Sequence, residues 1–274
     1  MASKTRDMSR GEVRDVASLR EPVRPLNARS LALSALLGTH PPTLSAAALV
    51  ALAELFGVNP GTMRTALSRM VAAGDVTASD GHYSLSPRLL ARQRAQDVGR
   101  RLRSDGPDAT TGWDGRWHTA VATVDQRDLA DRRHLRTLMG NARFGELRPT
   151  VWVRPANLPP PDLGAEWLIT TGPTTGTDPH DLVAHLWDLD SIASTAIELT
   201  GEMDAIARRV DLADPSSIPT MFSLSAVVLR FLRSEPLLPH ELTPPDWPVD
   251  ALRCRYTTFE SDVQAMLRPF LRRR

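Results

Sequence analysis

Apolar positions in the first third of the chain recur at the three- and four-residue spacing of amphipathic helices, interrupted at short intervals by turn residues. Residues 28–37 carry Leu31, Leu33, Leu36 and Leu37 on one stripe, ended by Gly38 and the Pro41-Pro42 pair. Residues 44–56 predict a second helix, capped near Thr43 or Ser45 and stopped by Gly57. A side-chain oxygen satisfies the free amides where a helix starts, and glycine accepts the left-handed geometry where it ends. A third helix opens with Asn59 as cap and Pro60 at the first helical position, and is predicted to run to Ala73. Proline fits there because its missing N–H would have no partner in the helix anyway. Met63, Ala66, Leu67, Met70 and Val71 supply the apolar face and leave Thr62, Arg64, Thr65, Ser68 and Arg69 towards solvent. Two short β-type runs, 76–78 and 82–85, then flank Ser79-Asp80-Gly81, a tight-turn signal for a hairpin. Ser86-Pro87 begins a long helix bearing Arg88, Arg92, Arg94, Arg100, Arg101 and Arg103.

Beyond the Gly106-Pro107 and Thr110-Thr111-Gly112 loops the pattern changes. Residues 117–124 alternate and are rich in β-formers, 129–139 read as a helix, and 150–153 and 167–171 as further strands, which predicts a small ferredoxin-like α+β domain. Leu182, Val183, Leu186, Trp187, Ile192, Ile197, Leu199, Met203 and Ile206 imply helices, and helical blocks at about 216–233 and 249–271 finish the chain. The expected fold is therefore α+β and helix-rich. Its parts are a flexible basic arm (1–25), a winged helix-turn-helix (26–86), a basic linker helix (87–108), a ferredoxin-like middle domain (109–178) and a helical C-terminal domain (179–274).

Charge sharpens this division. The net charge of +1 conceals 15 Lys or Arg against 8 Asp or Glu in residues 1–104, net +7, and 18 against 24 in residues 105–274, net −6. Such a split nominates the N-terminal third for a polyanion. The first 25 residues hold no apolar run of the secretory type, and the longest apolar stretch falls short of a bilayer span, so the expectation is a cytoplasmic protein with no membrane partner. A single cysteine, Cys254, can neither close an internal disulfide nor build a thiolate metal site, and is expected to be a small buried hydrophobe.

Short hydroxyl side chains interleaved with arginines suit a helix that enters the major groove, the hydroxyls allowing close approach and the guanidiniums meeting phosphates or guanine edges. Thr62, Arg64, Thr65, Ser68 and Arg69 are the candidate DNA-binding residues, Arg64 for a base and Arg69 for a phosphate, with His82 reaching from the hairpin. No HExxH, GxSxG, P-loop or GxGxxG occurs, so neither an enzyme nor a cofactor is expected. Trp152 and Trp187 are large enough to line an effector cavity, although tryptophans more often fill cores. A protein-binding winged helix is the competing reading of the same surface.

The run from Met63 to Gly74 resembles the recognition helix of the PaaX-like repressors of phenylacetate catabolism. So do three later signatures: residues 144–153 (FGELRPTVWV), residues 185–190 (HLWDLD), and Leu238-Pro239-His240-Glu241-Leu242 with Asp246-Trp247-Pro248. The resemblance implies a winged-helix head, a middle domain similar to CRISPR adaptation nucleases, a helical C-terminal domain, and a homodimer on operator DNA. It also implies relief of repression by an acyl-coenzyme A thioester such as phenylacetyl-coenzyme A. Because those nucleases hold a divalent metal with an aspartate at the end of the first strand, Asp125 raises a metal-dependent nuclease as an alternative. Here, however, Asp125 is followed by Gln126-Arg127-Asp128 rather than by a proline-containing turn, and reads as a helix cap.

Overall fold

A computed structural model describes residues 26–100, 113–123 and 129–271, except for the side chains at 91, 92, 95, 96, 98–100 and 129–132. The expected arm at 1–25, and Asp125 with it, lie outside the described residues. Contacts group the rest into two compact units, one from 113–195 with 234–247, the other from 26–100, 196–233 and 248–271.

The second unit begins with helix α1 (Ala28–Leu37), capped by the Asn27 side chain on the amide of Ser30 at 2.9 Å. Strand β1 (Thr43–Ser45), α2 (Ala46–Leu55), α3 (Pro60–Ala72), β2 (Val76–Ser79), β3 (His82–Leu85) and α4 (Pro87–Arg100) follow. Residues 44 and 45 were expected in the second helix and instead belong to β1. Thr43, Leu44 and Ser45 pair antiparallel with Ser84, Tyr83 and His82, and the Ser45 hydroxyl caps α2 on Ala48 at 3.1 Å. The hairpin thus gains a third strand, in the order β1-β3-β2. Leu31, Leu36, Leu49, Leu52, Met63 and Leu67 are fully buried where the three helices meet, each burial stabilising by about 2 kcal/mol. Val71, expected on this apolar face, is 39% exposed, because it lies one position beyond the Met63-Leu67-Met70 stripe.

The first unit holds β4 (Arg116–Ala122), α5 (Leu129–Asn141), β5 (Gly145–Arg148), β6 (Val151–Pro155), β7 (Trp167–Pro173) and α6 (Pro179–Leu186). Its four strands run β5-β6-β4-β7, each antiparallel to its neighbours, which is the strand order of a ferredoxin-like sheet. The crossover from β6 to β7 contains no helix. Alternation puts Trp117 and Val153 against α6 on one face, and Ala120 and Trp152 against α5 on the other. The sheet is therefore covered on both sides.

Helix α7 (Leu189–Ala207) carries the chain from the first unit into the second, where α8 (Ile218–Ser234) and α9 (Pro248–Leu271) complete it. The expected C-terminal block at 179–274 is thus divided, with α6 and the 234–247 segment packing in the sheet unit. Residues Pro215–Ser234 are apolar enough by length and composition to cross a bilayer, yet half of that window is buried within the protein. Met221, Val228, Phe231 and Leu232 there form core. Cys254, expected to be buried, is exposed, since the inward stripe of α9 runs through Leu252, Arg253, Tyr256 and Phe259.

Candidate nucleic-acid interface

Helix α3 starts where its sequence requires. The Asn59 side chain accepts from the amide of Gly61 at 2.8 Å and Pro60 occupies the first turn. With Met63, Leu67 and Met70 turned inward, Thr62, Arg64, Thr65, Ser68 and Arg69 are all exposed. They form two stripes. Thr62, Thr65 and Arg69 share a shallow groove with Arg29 and Ser30 of α1, whereas Arg64 and Ser68, four apart, lie on another side of the helix. Thr65 Oγ1 donates to the Gly61 carbonyl at 2.9 Å, and Ser68 Oγ to that of Arg64 at 3.1 Å. Each hydroxyl proton is thereby occupied by the helix itself, and the oxygen lone pairs face outward as acceptors. Among the described residues no carboxylate holds Arg64 or Arg69, so both guanidiniums keep their donors for an external acceptor.

The hairpin tip is a tight turn with Asp80 at φ 50° and Gly81 at φ 74°. His82 is exposed, and its Nδ1 lies 2.9 Å from the Asp80 carbonyl, folded back on its own turn.

Behind these surfaces sits a buried carboxylate that sequence reasoning missed. The Asp75 side chain is only 2% exposed, at the junction of α3 and β2. Arg29 binds its Oδ2 through Nε at 3.2 Å and a terminal nitrogen at 2.6 Å, and Arg88 of α4 binds Oδ1. One carboxylate therefore ties α1, the foot of the hairpin and α4 together. The available signal was Arg29 itself, because a cation in the first turn of a helix opposes the macrodipole and implies a carboxylate elsewhere. Gln93 adds a second tie, donating to the carbonyls of Leu37 and Thr39 at 3.0 and 3.1 Å. Arg88 and Arg94 of α4 are exposed; the side chains of Arg92 and Arg100, and all of Arg101 and Arg103, lie outside the described residues.

Residues 27–89 match the family described as "PaaX-like protein", and residues 110–161 match "PaaX protein central Cas2-like domain". Among solved structures, an uncharacterised protein of Mycobacterium tuberculosis, Rv0674, is 38% identical over 89% of this chain and 99% of its own, with a TM-score of 0.64. The chain belongs to the PaaX-like family. No curated protein matches it. Membership makes it a PaaX-like regulator.

The three PaaX-like signatures beyond the head converge inside the sheet unit. Leu147 and Val153 from the first, Leu186, Trp187 and Leu189 from the second, and Leu238 and Leu242 from the third occupy one hydrophobic cluster. Gly145 of the first signature is required by the second: a Cβ there would stand 2.7 Å from Leu186 Cβ. Trp152 and Trp187, the candidate effector residues, are not brought together. Trp152 is buried on the α5 face, while Trp187 is partly buried on the α6 face.

His118, Arg143 and Arg154, buried in this unit, are also internally engaged, whereas Nε1 of Trp117, Trp152 and Trp167 and Nε of Arg154 meet no hydrogen-bond partner among the described residues. His118 lies between Thr171 Oγ1 at 2.7 Å and the Leu158 carbonyl at 2.8 Å. Burial pushes its pKa below the ordinary value, and the Arg154 guanidinium adds to this. Arg154 is lowered to about 10 by burial and by Arg143; it donates to the Ala142 and Leu158 carbonyls and covers the Phe144 ring at 5.1 Å. Arg143 binds the buried Glu235. Among the described residues no group of three or more His, Cys, Asp or Glu is placed to hold a metal ion.

Proposed function

We propose that this PaaX-like regulator reads operator DNA through α3 and the hairpin, as a cytoplasmic homodimer that answers to a small-molecule effector. The observation that carries the reading is an exposed strip of Thr62, Arg64, Thr65, Ser68 and Arg69 whose cations meet no carboxylate among the described residues, on a helix capped by Asn59 and seated by its apolar face. Arg64 takes a base edge, most favourably guanine in a bidentate fork, and Arg69 takes a phosphate beside the α1–α3 groove. His82 follows the backbone from the hairpin tip. Two heads on a palindrome present recognition helices about 34 Å apart. The basic residues of the sequence at 1–25 and 87–108 add phosphate contacts, so affinity falls steeply with salt. Residues 109–178 and 179–274 serve dimerisation and effector response, with an acyl-coenzyme A thioester as the inducer suggested by the family.

A gel shift with the DNA upstream of the protein's own coding sequence, at low ionic strength, tests this. Arg64→Ala is expected to lose about tenfold or more in specific affinity, the value of a good bidentate base contact, with an unchanged denaturation midpoint. Retention of wild-type discrimination between operator and unrelated DNA would refute the assignment of α3.

A further inference from the structure

Helix α1 has neighbours besides α3. Within its unit, α1, α8 and α9 line a partly open cavity of about 270 Å³. Leu33 of α1, Leu229 of α8 and Leu267 of α9 give it apolar walls. Ser225 and Tyr256, both buried and hydrogen-bonded to each other at 2.8 Å, also line it. Its charged lining is Arg29, Arg230, Arg233 and Glu260; Arg29 already holds Asp75 and Arg233 and Glu260 are engaged within the protein, so the exposed Arg230 is the lining cation open to a ligand beside the apolar interior. The volume is somewhat under twice the ~150 Å³ of a cavity that accepts benzene, enough for an aryl or medium-chain acyl body and too small for an entire coenzyme A.

We propose that this cavity binds a small amphipathic organic anion, with its apolar body between α1, α8 and α9 and its anionic group at Arg230, and that occupancy is coupled to DNA binding through α1. The coupling rests on the DNA reading proposed above; the binding does not. The lever is visible in the contacts of α1. Arg29 lines both this cavity and the groove beside Thr62, Thr65 and Arg69, and it also holds Asp75 at the foot of the hairpin. At the other end of α1, the Leu37 carbonyl is tied to Gln93 of α4. A ligand preferring one position of α1 over another therefore biases the frame that carries α3, which is the thermodynamic requirement for coupling.

The test uses the full chain and the fluorescent anion 8-anilinonaphthalene-1-sulfonate, with N-phenyl-1-naphthylamine as its counterpart lacking the sulfonate. One saturable sulfonate site per chain is expected. Ala226→Trp, which fills the cavity from α8, is expected to weaken it at least about tenfold. The exposed substitution Arg230→Glu is expected to weaken the sulfonate but not the neutral dye, and it carries the test should the Trp variant fail to fold. Unchanged sulfonate binding in Ala226→Trp overturns the site, and equal binding of the two dyes with an indifferent Arg230→Glu overturns the anion. Displacement by octanoate marks a free acid as the natural type of ligand, and displacement by octanoyl-coenzyme A alone marks a thioester whose phosphates meet the rim; displacement by neither overturns the acyl assignment. Saturating sulfonate is expected to shift operator affinity severalfold for wild type and not for Ala226→Trp. No shift with DNA binding intact overturns the coupling, whereas a protein that ignores promoter DNA yet binds the dye as described overturns only the DNA reading.

Discussion

The winged-helix head and the sheet unit both carry motifs of the PaaX-like family, and they turn them in opposite directions. In the head, the motif's hydroxyls and arginines face solvent, and Arg64 and Arg69 meet no carboxylate among the described residues. In the sheet unit, the motif residues meet one another: Gly145 under Leu186, Val153 beside Leu238 and Leu242. A motif whose residues pack on one another accounts for a fold, whereas exposed arginines held by nothing but water remain available to an outside partner. On that ground the sheet signatures read as architecture, and the α3 strip is the surface through which we propose that DNA is read. Asp75 is the head's exception, an inward charge whose two partners stand at the surface.

Substitutions that separate stability from affinity can break this contrast. The largest effect is expected from Arg143→Met, which takes a buried cation away from the buried Glu235. Removing one member of a buried pair costs about 3–5 kcal/mol, read as a lowered midpoint in chemical denaturation. The affinity of the remaining folded protein for DNA is expected to be unchanged; a loss of operator discrimination with an unshifted midpoint would reverse the roles assigned to the two regions. Next comes Asp75→Ala. Charge-assisted hydrogen bonds to a buried carboxylate are worth about 2 kcal/mol after discounting for the exposure of Arg29 and Arg88. Because Asp75 ties α1, the hairpin and α4 together, this variant is expected to lose both stability and operator affinity, unlike Arg64→Ala. Loss of stability alone would show that the posture of α1 is irrelevant to DNA.

How much of this was legible in the sequence follows from how local each feature is. Helix α3, its cap at Asn59 and its exposed strip are encoded within some fifteen consecutive residues, and the structure reproduces them. The same holds for the Asp80-Gly81 turn. Strand β1 was missed because three residues carry no period of their own; its partner strand lies some forty positions later. Strand β5, Gly-Glu-Leu-Arg, has no alternation and is bulged between Glu146 and Arg148, so it exists only by pairing with β6. The Arg29–Asp75 tie and the division of 179–274 between the units are likewise decided by packing between distant segments, to which periodicity is blind.

The smallest effect concerns pH, and it belongs to the inward-facing unit. His118 is buried between Thr171 and the Leu158 carbonyl, and burial holds its folded-state pKa below the ordinary 6.5. The unfolded chain then binds more protons than the folded one between the lowered value and 6.5, so unfolding free energy rises with pH across that window. The stability supplied by neutral His118 is accordingly present above about pH 6.5 and is lost as the pH falls through that value towards the folded-state one. Denaturation midpoints of the wild type measured from pH 7.5 to 5 should therefore decline, and those of His118→Gln, whose side chain does not titrate, should decline less. Parallel curves would mean that the imidazole is accommodated in its charged form, and that the interior of the sheet unit tolerates a cation beside Arg154 more readily than its burial implies.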